Sequence, residues 1–190
     1  KVWDDKNNLT EAKYDNLGRR LSLNNPDTGL VEWTYDLAGN VTQKVTANLR
    51  AQGGAIVYDY NYKRLNRITY PQHPENNVAY TYGVPGASDH RANRVVTVTD
   101  ESGKEERFYG RLGEVVKTIK TVASETGKKP EIYTSLFEYD TWNRLQKLTY
   151  PDGEVLTNRY DSGGLLREIT GTKSGQNYKY LNRLEYDKFD

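Results

Sequence analysis

The sequence contains no cysteine and no methionine, and only three Phe, three Trp and six Pro among 190 residues. Without Cys there is no disulfide framework and no thiolate chemistry. Without Met, Lys1 is not read as a translation start, and the chain is expected to be an excerpt that continues past both its ends. No apolar run approaches the roughly 20 residues of a membrane span, and no signal peptide stands at the start, so no membrane insertion by this segment is expected. A bias of charge is also missing: 27 Lys and Arg face 26 Asp and Glu, a formal net charge of +1. Such balance offers no footprint for nucleic acid or an anionic surface. Hydrophobic residues make up 35% of the chain and the mean hydropathy is −0.90, too little for a thick two-sided core. A sheet with wet faces is easier to build. What the chain has in excess is tyrosine, 16 of them. Tyr suits half-buried sheet surfaces, where the ring packs and the hydroxyl reaches a partner.

Tyrosine recurs in a fixed context. Tyr14-Asp15 opens "YDNLGRRLSL", Tyr35-Asp36 opens "YDLAGNVTQKV", and Tyr58-Asp59 opens "YDYNYKRLNRITYP". Tyr139-Asp140 opens "YDTWNRLQKLTYP", Tyr160-Asp161 opens "YDSGGLLREI", and Tyr186-Asp187 opens "YDKFD". Weaker copies begin at Tyr82 and Tyr109, where Gly replaces Asp, and Trp3-Asp4 resembles a copy with Trp for Tyr. From Tyr14 onward the anchors step by 21, 23, 24, 27, 30, 21 and 26 residues, the drift expected of loop insertions around a constant strand unit. Residues 1–190 are therefore read as a single array of about eight repeats, weaker and longer-looped over 82–138.

One unit has a direct physical reading. Tyr ends a strand, and Asp accepts backbone N–H groups in the turn that follows. Three residues later stands Gly or Asn (Gly18, Gly39, Asn143, Gly164), a position suited to left-handed backbone. Arg19, Asn40 or Arg144 comes next, and then a new strand. The "PDTG" at Pro26–Gly29 and "PDG" at Pro151–Gly153 carry hairpin chemistry for the second turn. Alternation predicts that Leu148 and Tyr150 share one face, and Leu156, Asn158 and Tyr160 another such face, with polar residues opposite. The fold class is thus all-β, antiparallel hairpin repeats forming a curved, spiralling sheet. No helix is predicted; residues 111–126 read as strand because of Val115, Val116 and Ile119. Loops are expected over 83–93 and 123–130.

The segments "YDNLGRR", "YDLAGN" and "YDTWNRL", the PDG turns, and "NRVVTVTDESGKEERFYGRLGEVVKT" at 93–118 resemble the RHS, or YD, repeats across essentially the whole chain. This resemblance implies a spiral β-shell, which in bacterial toxin complexes and polymorphic toxins encloses a C-terminal toxic domain, and in animal teneurins belongs to an adhesion receptor. The partners it implies are neighbouring repeats of the parent chain and an enclosed toxin, in a secreted or cell-surface bacterial protein. The DPxGL-type motif of the family's protease-like core is not found in these residues. The Tyr-Asp anchors and their Gly, Asn and Arg followers are on this reading structural, with no catalytic, metal-binding or cofactor-binding residue and no cofactor.

Other chemistry is weaker. His73 and His90 sit in polar loop contexts, and Ser88-Asp89-His90 places three triad residue types in a row without a nucleophile elbow. Scattered carboxylates such as Asp4-Asp5 and Glu105-Glu106 lack metal or glycosidase spacing that sequence can establish. Aromatic rows are the one alternative surface: Trp33 with Tyr35, and Tyr58 with Tyr60 and Tyr62, read either as cross-strand packing or as a glycan- or cell-binding face. An enzyme is not expected.

Overall fold

The computed structural model describes residues 1–124 and 129–186. Nearly every described element is an antiparallel strand joined to the next by a short turn. Chain contacts divide it into two units, Lys1–Thr81 with Thr99–Glu101, and Tyr82–Val98 with Ser102 onward.

The first unit carries β1 (Val2–Trp3), β2 (Leu9–Tyr14), β3 (Arg20–Asn25), β4 (Gly29–Tyr35), β5 (Val41–Val45), β6 (Ile56–Asn61), β7 (Arg64–Thr69) and β8 (Val78–Tyr82). Each pairs antiparallel with its successor. The register sorts the side chains into two faces. Ala12, Leu23 and Val31 stand opposite one another, then Trp33, Lys44 and Ile56, then Tyr58, Ile68 and Val78. On the other face Lys13, Ser22 and Glu32 align, as do Thr34, Gln43, Val57 and Thr69. The apolar rows place β-branched and aromatic side chains against one another across strands, which is how a sheet is stabilised without a second layer.

The second unit carries β9 (Val95–Asp100), β10 (Gly103–Tyr109), β11 (Val115–Val122), β12 (Glu131–Tyr139), β13 (Leu145–Thr149), β14 (Val155–Tyr160), β15 (Leu166–Lys173) and β16 (Gln176–Leu181). Phe137, Leu148, Leu156 and Gly171 form one cross-strand row. Lys117, Leu136, Thr149, Val155 and Thr172 form a row of the other face. Leu148 and Leu156, each expected on the apolar side of its own strand, stand opposite one another, and 111–126 contributes a strand, β11, as expected.

Burial is shallow, as the low hydropathy requires. Among the described residues Val31, at 8% exposure, is the one buried hydrophobic side chain, and none is fully buried. Most strand residues are half-buried.

Two short helical pieces correct the all-strand expectation. The helix α1 (Ala47–Ala51) fills the β5–β6 connection, where Thr46 caps it by accepting the Leu49 N–H and the run Ala47-Asn48-Leu49-Arg50-Ala51 contains no β-branched residue. A turn of 3-10 helix, Pro74–Asn76, starts on a proline whose φ suits that position. Both lie in connections where sequence alternation carries no signal.

Candidate functional site: the tyrosine–aspartate turn

The recurring turn is a defined object. Asp15 N–H donates to the Arg19 carbonyl (2.9 Å) and Gly18 N–H donates back to the Asp15 carbonyl (3.0 Å). The carboxylate closes the loop from inside: Oδ1 accepts from the N–H of Leu17 and of Arg19 (2.9 Å each), and Oδ2 accepts from Arg19 Nε (2.6 Å). Asp140 repeats the pattern with Trp142, Asn143 and Arg144. Asp36 repeats it with Gly39 and Asn40, whose amide replaces the guanidinium at 2.7 Å. Asp161 keeps both backbone bonds and the Leu165 N–H, but Leu165 offers no side-chain donor. The third residue after Asp is left-handed in each: φ is 76° at Gly18, 83° at Gly39, 60° at Asn143 and 89° at Gly164. Only residues that tolerate this region serve there.

The tyrosine marks a second feature. Five anchors stand beside a one-residue register shift, between Lys13 and Tyr14, Thr34 and Tyr35, Phe108 and Tyr109, Glu138 and Tyr139, and Arg159 and Tyr160. The extra residue belongs to the strand after the turn, as when Tyr139 opposes Leu145 while Glu138 opposes Lys147, leaving Gln146 over. A bulge of this kind bends the strand and increases its twist.

Successive turns are tied to one another. The Tyr35 hydroxyl donates to the Arg20 carbonyl (2.8 Å), Tyr139 to Val115 (3.1 Å) and Tyr160 to Leu145 (2.7 Å). Each acceptor is the first residue of the strand following the previous turn. Arg19 lies over the Tyr35 ring at 4.8 Å and donates to the Asp36 carbonyl, and Arg144 lies over the Tyr160 ring at 4.4 Å. Asn40 reaches the Tyr62 carbonyl at 2.7 Å, while Lys63 donates back to the Ala38 carbonyl.

Several expected positions move. Tyr58 lies inside β6, opposite Ile68, and Asp59 opposes Arg67. The register shift of that copy falls between Asp59 and Tyr60, so Tyr60 and Asn61 occupy the anchor places and the turn shrinks to Tyr62 (φ 56°) and Lys63. Tyr58 and Tyr60 therefore keep one face of β6, while Tyr62 leaves the expected row for the turn. Trp3-Asp4 has the full turn without the register shift: Asp4 Oδ1 accepts the N–H of Lys6 and Asn8, Asn7 has φ 58°, and Val2 and Trp3 pair in step with Thr10 and Leu9. Tyr186 is described; Asp187, and the part of the expected loop at 125–128, lie outside the described residues.

Two copies that sequence reading treats as diverged keep the geometry by other means. Gly83 N–H donates to the Arg94 carbonyl and Asn93 N–H, at φ 63°, to the Gly83 carbonyl. The expected loop at 83–93 is thus the same turn split by an insertion, with Asn93 and Arg94 in the places of Gly18 and Arg19. Arg94 lies over Tyr109 at 5.6 Å, and the Tyr109 hydroxyl donates to the Val95 carbonyl. In the Tyr109 copy Gly110 and Gly113 form the two backbone bonds, and the Glu114 carboxylate fills the space beside Gly110 that an aspartate side chain takes in the other copies. The acid has moved to the other end of the turn. A sequence signal existed for both: Asn-Arg at 93–94 and an acid four residues after Gly110.

Electrostatics follow the hydrogen bonds. Partial burial pushes the Asp15 carboxyl up, but the Arg19 N–H, the Arg19 guanidinium and the Leu17 N–H outweigh it and hold it below its ordinary value. Asp140 behaves alike, its burial offset by the N–H and guanidinium of Arg144 and the N–H of Trp142. Asp36 is lowered chiefly by the Asn40 N–H. These carboxylates hold backbone in place and are engaged on both oxygens, which leaves them no role as general bases. His73 Nδ1 lies 3.0 Å from Glu75 Oε1, and Asp89, beside His90, is paired with Arg91. Among the described residues no three His, Cys, Asp or Glu side chains gather as a metal site. No helix among the described residues is long and apolar enough to cross a membrane. Trp33 is half-buried with the Arg20 guanidinium 4.8 Å from its ring. Trp142 carries the Arg144 guanidinium 4.9 Å from its ring and is 76% exposed.

No family model matches the chain, and no curated protein matches it. Solved structures do. The crystal structure of TcdB2-TccC3 without its hypervariable C-terminal region matches at 19% identity and a TM-score of 0.74 over 93% of this chain. TcdB2-TccC3-Cdc42 matches at 20% identity with the same TM-score and coverage. TcdB2-TccC3 itself matches at 19% identity and 0.74. The chain spans 9–10% of the length of these chains. At this identity the likeness shows the fold, and that fold is the antiparallel repeat sheet expected from the resemblance to RHS repeats: the chain is folded like a segment of the TcdB2-TccC3 structures.

Proposed function

We propose that this chain is a structural segment of an RHS-repeat β-shell, whose work is to enclose a C-terminal toxin or effector domain of a secreted or surface-located bacterial protein. The observation that carries the reading is the tie between turns: Tyr35, Tyr109, Tyr139 and Tyr160 each donate to the strand start of the previous turn, and Arg19 and Arg144 each bridge two turns. Such bonds stack repeats in one direction without closing a catalytic cleft, as in other arrays whose units lean on their neighbours. On this reading residues 1–190 form one array of about eight repeats, the Tyr-Asp residues are structural anchors, the partners are adjoining repeats and the enclosed domain, and the segment performs no reaction and carries no cofactor. The likeness in fold to TcdB2-TccC3, one structure of which includes Cdc42, supports the shell; enclosure is the proposal.

The test uses the polypeptide that carries these repeats in its natural context. Limited proteolysis should leave its C-terminal domain intact while the repeats are folded. Paired substitutions Asp15→Ala and Asp140→Ala should expose that domain to cleavage at a lower temperature than in the parent. A C-terminal domain cleaved equally fast in both would overturn enclosure. The rival reading, a glycan-binding face, draws on Trp142, but the stacking of Arg20 on Trp33 and the bonding of Tyr35 to Arg20 favour packing for that pair.

A further inference from the structure

A basin of about 760 Å³ opens on the apolar face of the second unit. Its walls are the rings of Tyr133, Tyr150 and Tyr180, its floor is Leu156 and Ile169, and its charged lining residues, Asp152 and Glu154, are both acidic. The Pro-Asp-Gly turn forms one side, where the Tyr150 N–H donates to the Glu154 carbonyl, but no Tyr-Asp turn contributes to it. Gly171 lets the Tyr180 ring and Glu154 settle close to the sheet: a Cβ there would come within 2.5 Å of Tyr180 Cε2 and 2.9 Å of Glu154 Oε1. The three tyrosines remain 41%, 39% and 58% exposed, so the rings are presented and not consumed by packing.

The polar groups select the ligand. Glu154 Oε1 accepts the Tyr180 hydroxyl and Glu131 accepts the Tyr133 hydroxyl, so two of the three phenol donors are already spent on carboxylates. Asp152 is paired with Lys173, which lies outside the lining. What the basin offers is therefore aromatic faces and carboxylate acceptors. A sugar needs donors as well as acceptors and a flat platform; a cation with an apolar stem needs only these rings and an acid. We propose that this basin binds the side chain of an arginine or lysine within an extended peptide, the stem on Leu156 and Ile169, the charge between the tyrosine rings and Glu154. The proposal is independent of the shell reading, since it concerns a surface that exists whether or not anything is enclosed.

The test is fluorescence anisotropy of the 190-residue chain with a labelled Gly-Arg-Gly-Arg-Gly peptide, against the same peptide carrying citrulline for arginine. The arginine peptide should bind about tenfold more tightly than the citrulline peptide, because the guanidinium charge is the group the rings and carboxylate read. Glu154→Gln, which keeps the size of the side chain, and Tyr150→Ala should each remove most of that preference, while Trp142→Ala, outside the basin, should not. Circular dichroism establishes that each variant is folded. Equal affinity for both peptides, retention of the preference in folded Glu154→Gln, or displacement of the peptide by a neutral oligosaccharide would each overturn the assignment.

Discussion

The Arg144 guanidinium lies 4.4 Å from the centre of the Tyr160 ring while its Nε is held at 2.7 Å by Asp140. One side chain thus closes its own turn and covers the anchor of the next. The carboxylate fixes the guanidinium plane, so the ring contact is pre-oriented, and loss of either partner should weaken both turns. A double-mutant cycle with Arg144→Gln and Tyr160→Leu, read by urea unfolding, should give a coupling of about 0.5–1 kcal/mol, the size of a partly exposed cation–π contact. Tyr160→Phe keeps the ring and should cost about 1 kcal/mol alone, through the hydroxyl bond to Leu145. Strict additivity would mean that the turns are independent.

Left-handed backbone at the third residue after Asp gives a cleaner test, because Gly18 has nothing within 4 Å of the place a Cβ would take. Gly18→Ala therefore reports conformation alone and should cost about 1–2 kcal/mol. Asn143 holds the same conformation at φ 60°, so Asn143→Gly should be neutral or slightly stabilising and Asn143→Val strongly destabilising. Thermal unfolding of the three variants would show whether the two turns obey one rule.

The carboxyl groups of Asp15, Asp36 and Asp140 all titrate below their ordinary values in the folded chain. Each therefore binds protons less readily folded than unfolded. Their contribution is fully present above the unfolded value of about 3.9 and is lost as pH falls through the lower folded values. Stability should hold from neutral pH to about 4 and decline below it. The triple Asp→Asn variant should be less stable near neutrality and show a flatter acid limb; an unchanged limb would remove these three groups from the account.

Much of this was legible in the residues. The Asp turn, the left-handed position at Gly18, Gly39, Asn143 and Gly164, and the apolar sides that hold Leu148 and Leu156 all follow from local chemistry. Three features were not. The bulge beside Tyr14, Tyr35, Tyr60, Tyr109, Tyr139 and Tyr160 costs one residue of register, and no residue type announces it. Tyr58-Asp59 carries the dipeptide while Tyr60-Asn61 carries the geometry, and only pairing with Leu65 and Arg64 distinguishes them. The basin between Tyr133, Tyr150 and Tyr180 joins residues from four strands, β12, β14, β15 and β16, and the turn at 150–154, so no linear motif could mark it.

The Tyr109 copy offers the sharpest check on what the aspartate does. Gly110 takes the place of Asp, and the Glu114 carboxylate, reaching back from the fourth position, fills the vacated space. Its Oε2 is buried without a hydrogen-bond partner. The arrangement keeps a carboxylate inside the turn but loses the two backbone N–H bonds that Asp36 and Asp140 provide in different surroundings. Gly110→Asp alone places two acids in one space and should destabilise by about 1–3 kcal/mol, the usual cost of overpacking, with like-charge repulsion in addition. Glu114→Asn alone removes the buried carboxylate and leaves a hole. Together the two changes recreate the Asp36–Asn40 pair, whose amide-to-carboxylate bond is 2.7 Å. The double variant should therefore recover most of the loss seen in Gly110→Asp. Recovery should be incomplete, because Val116 Cγ1 lies 2.9 Å from the new Cβ and must shift. Urea unfolding of the four members of this cycle decides it: a double variant as unstable as the sum of its singles would mean that the turn does not depend on where its carboxylate sits.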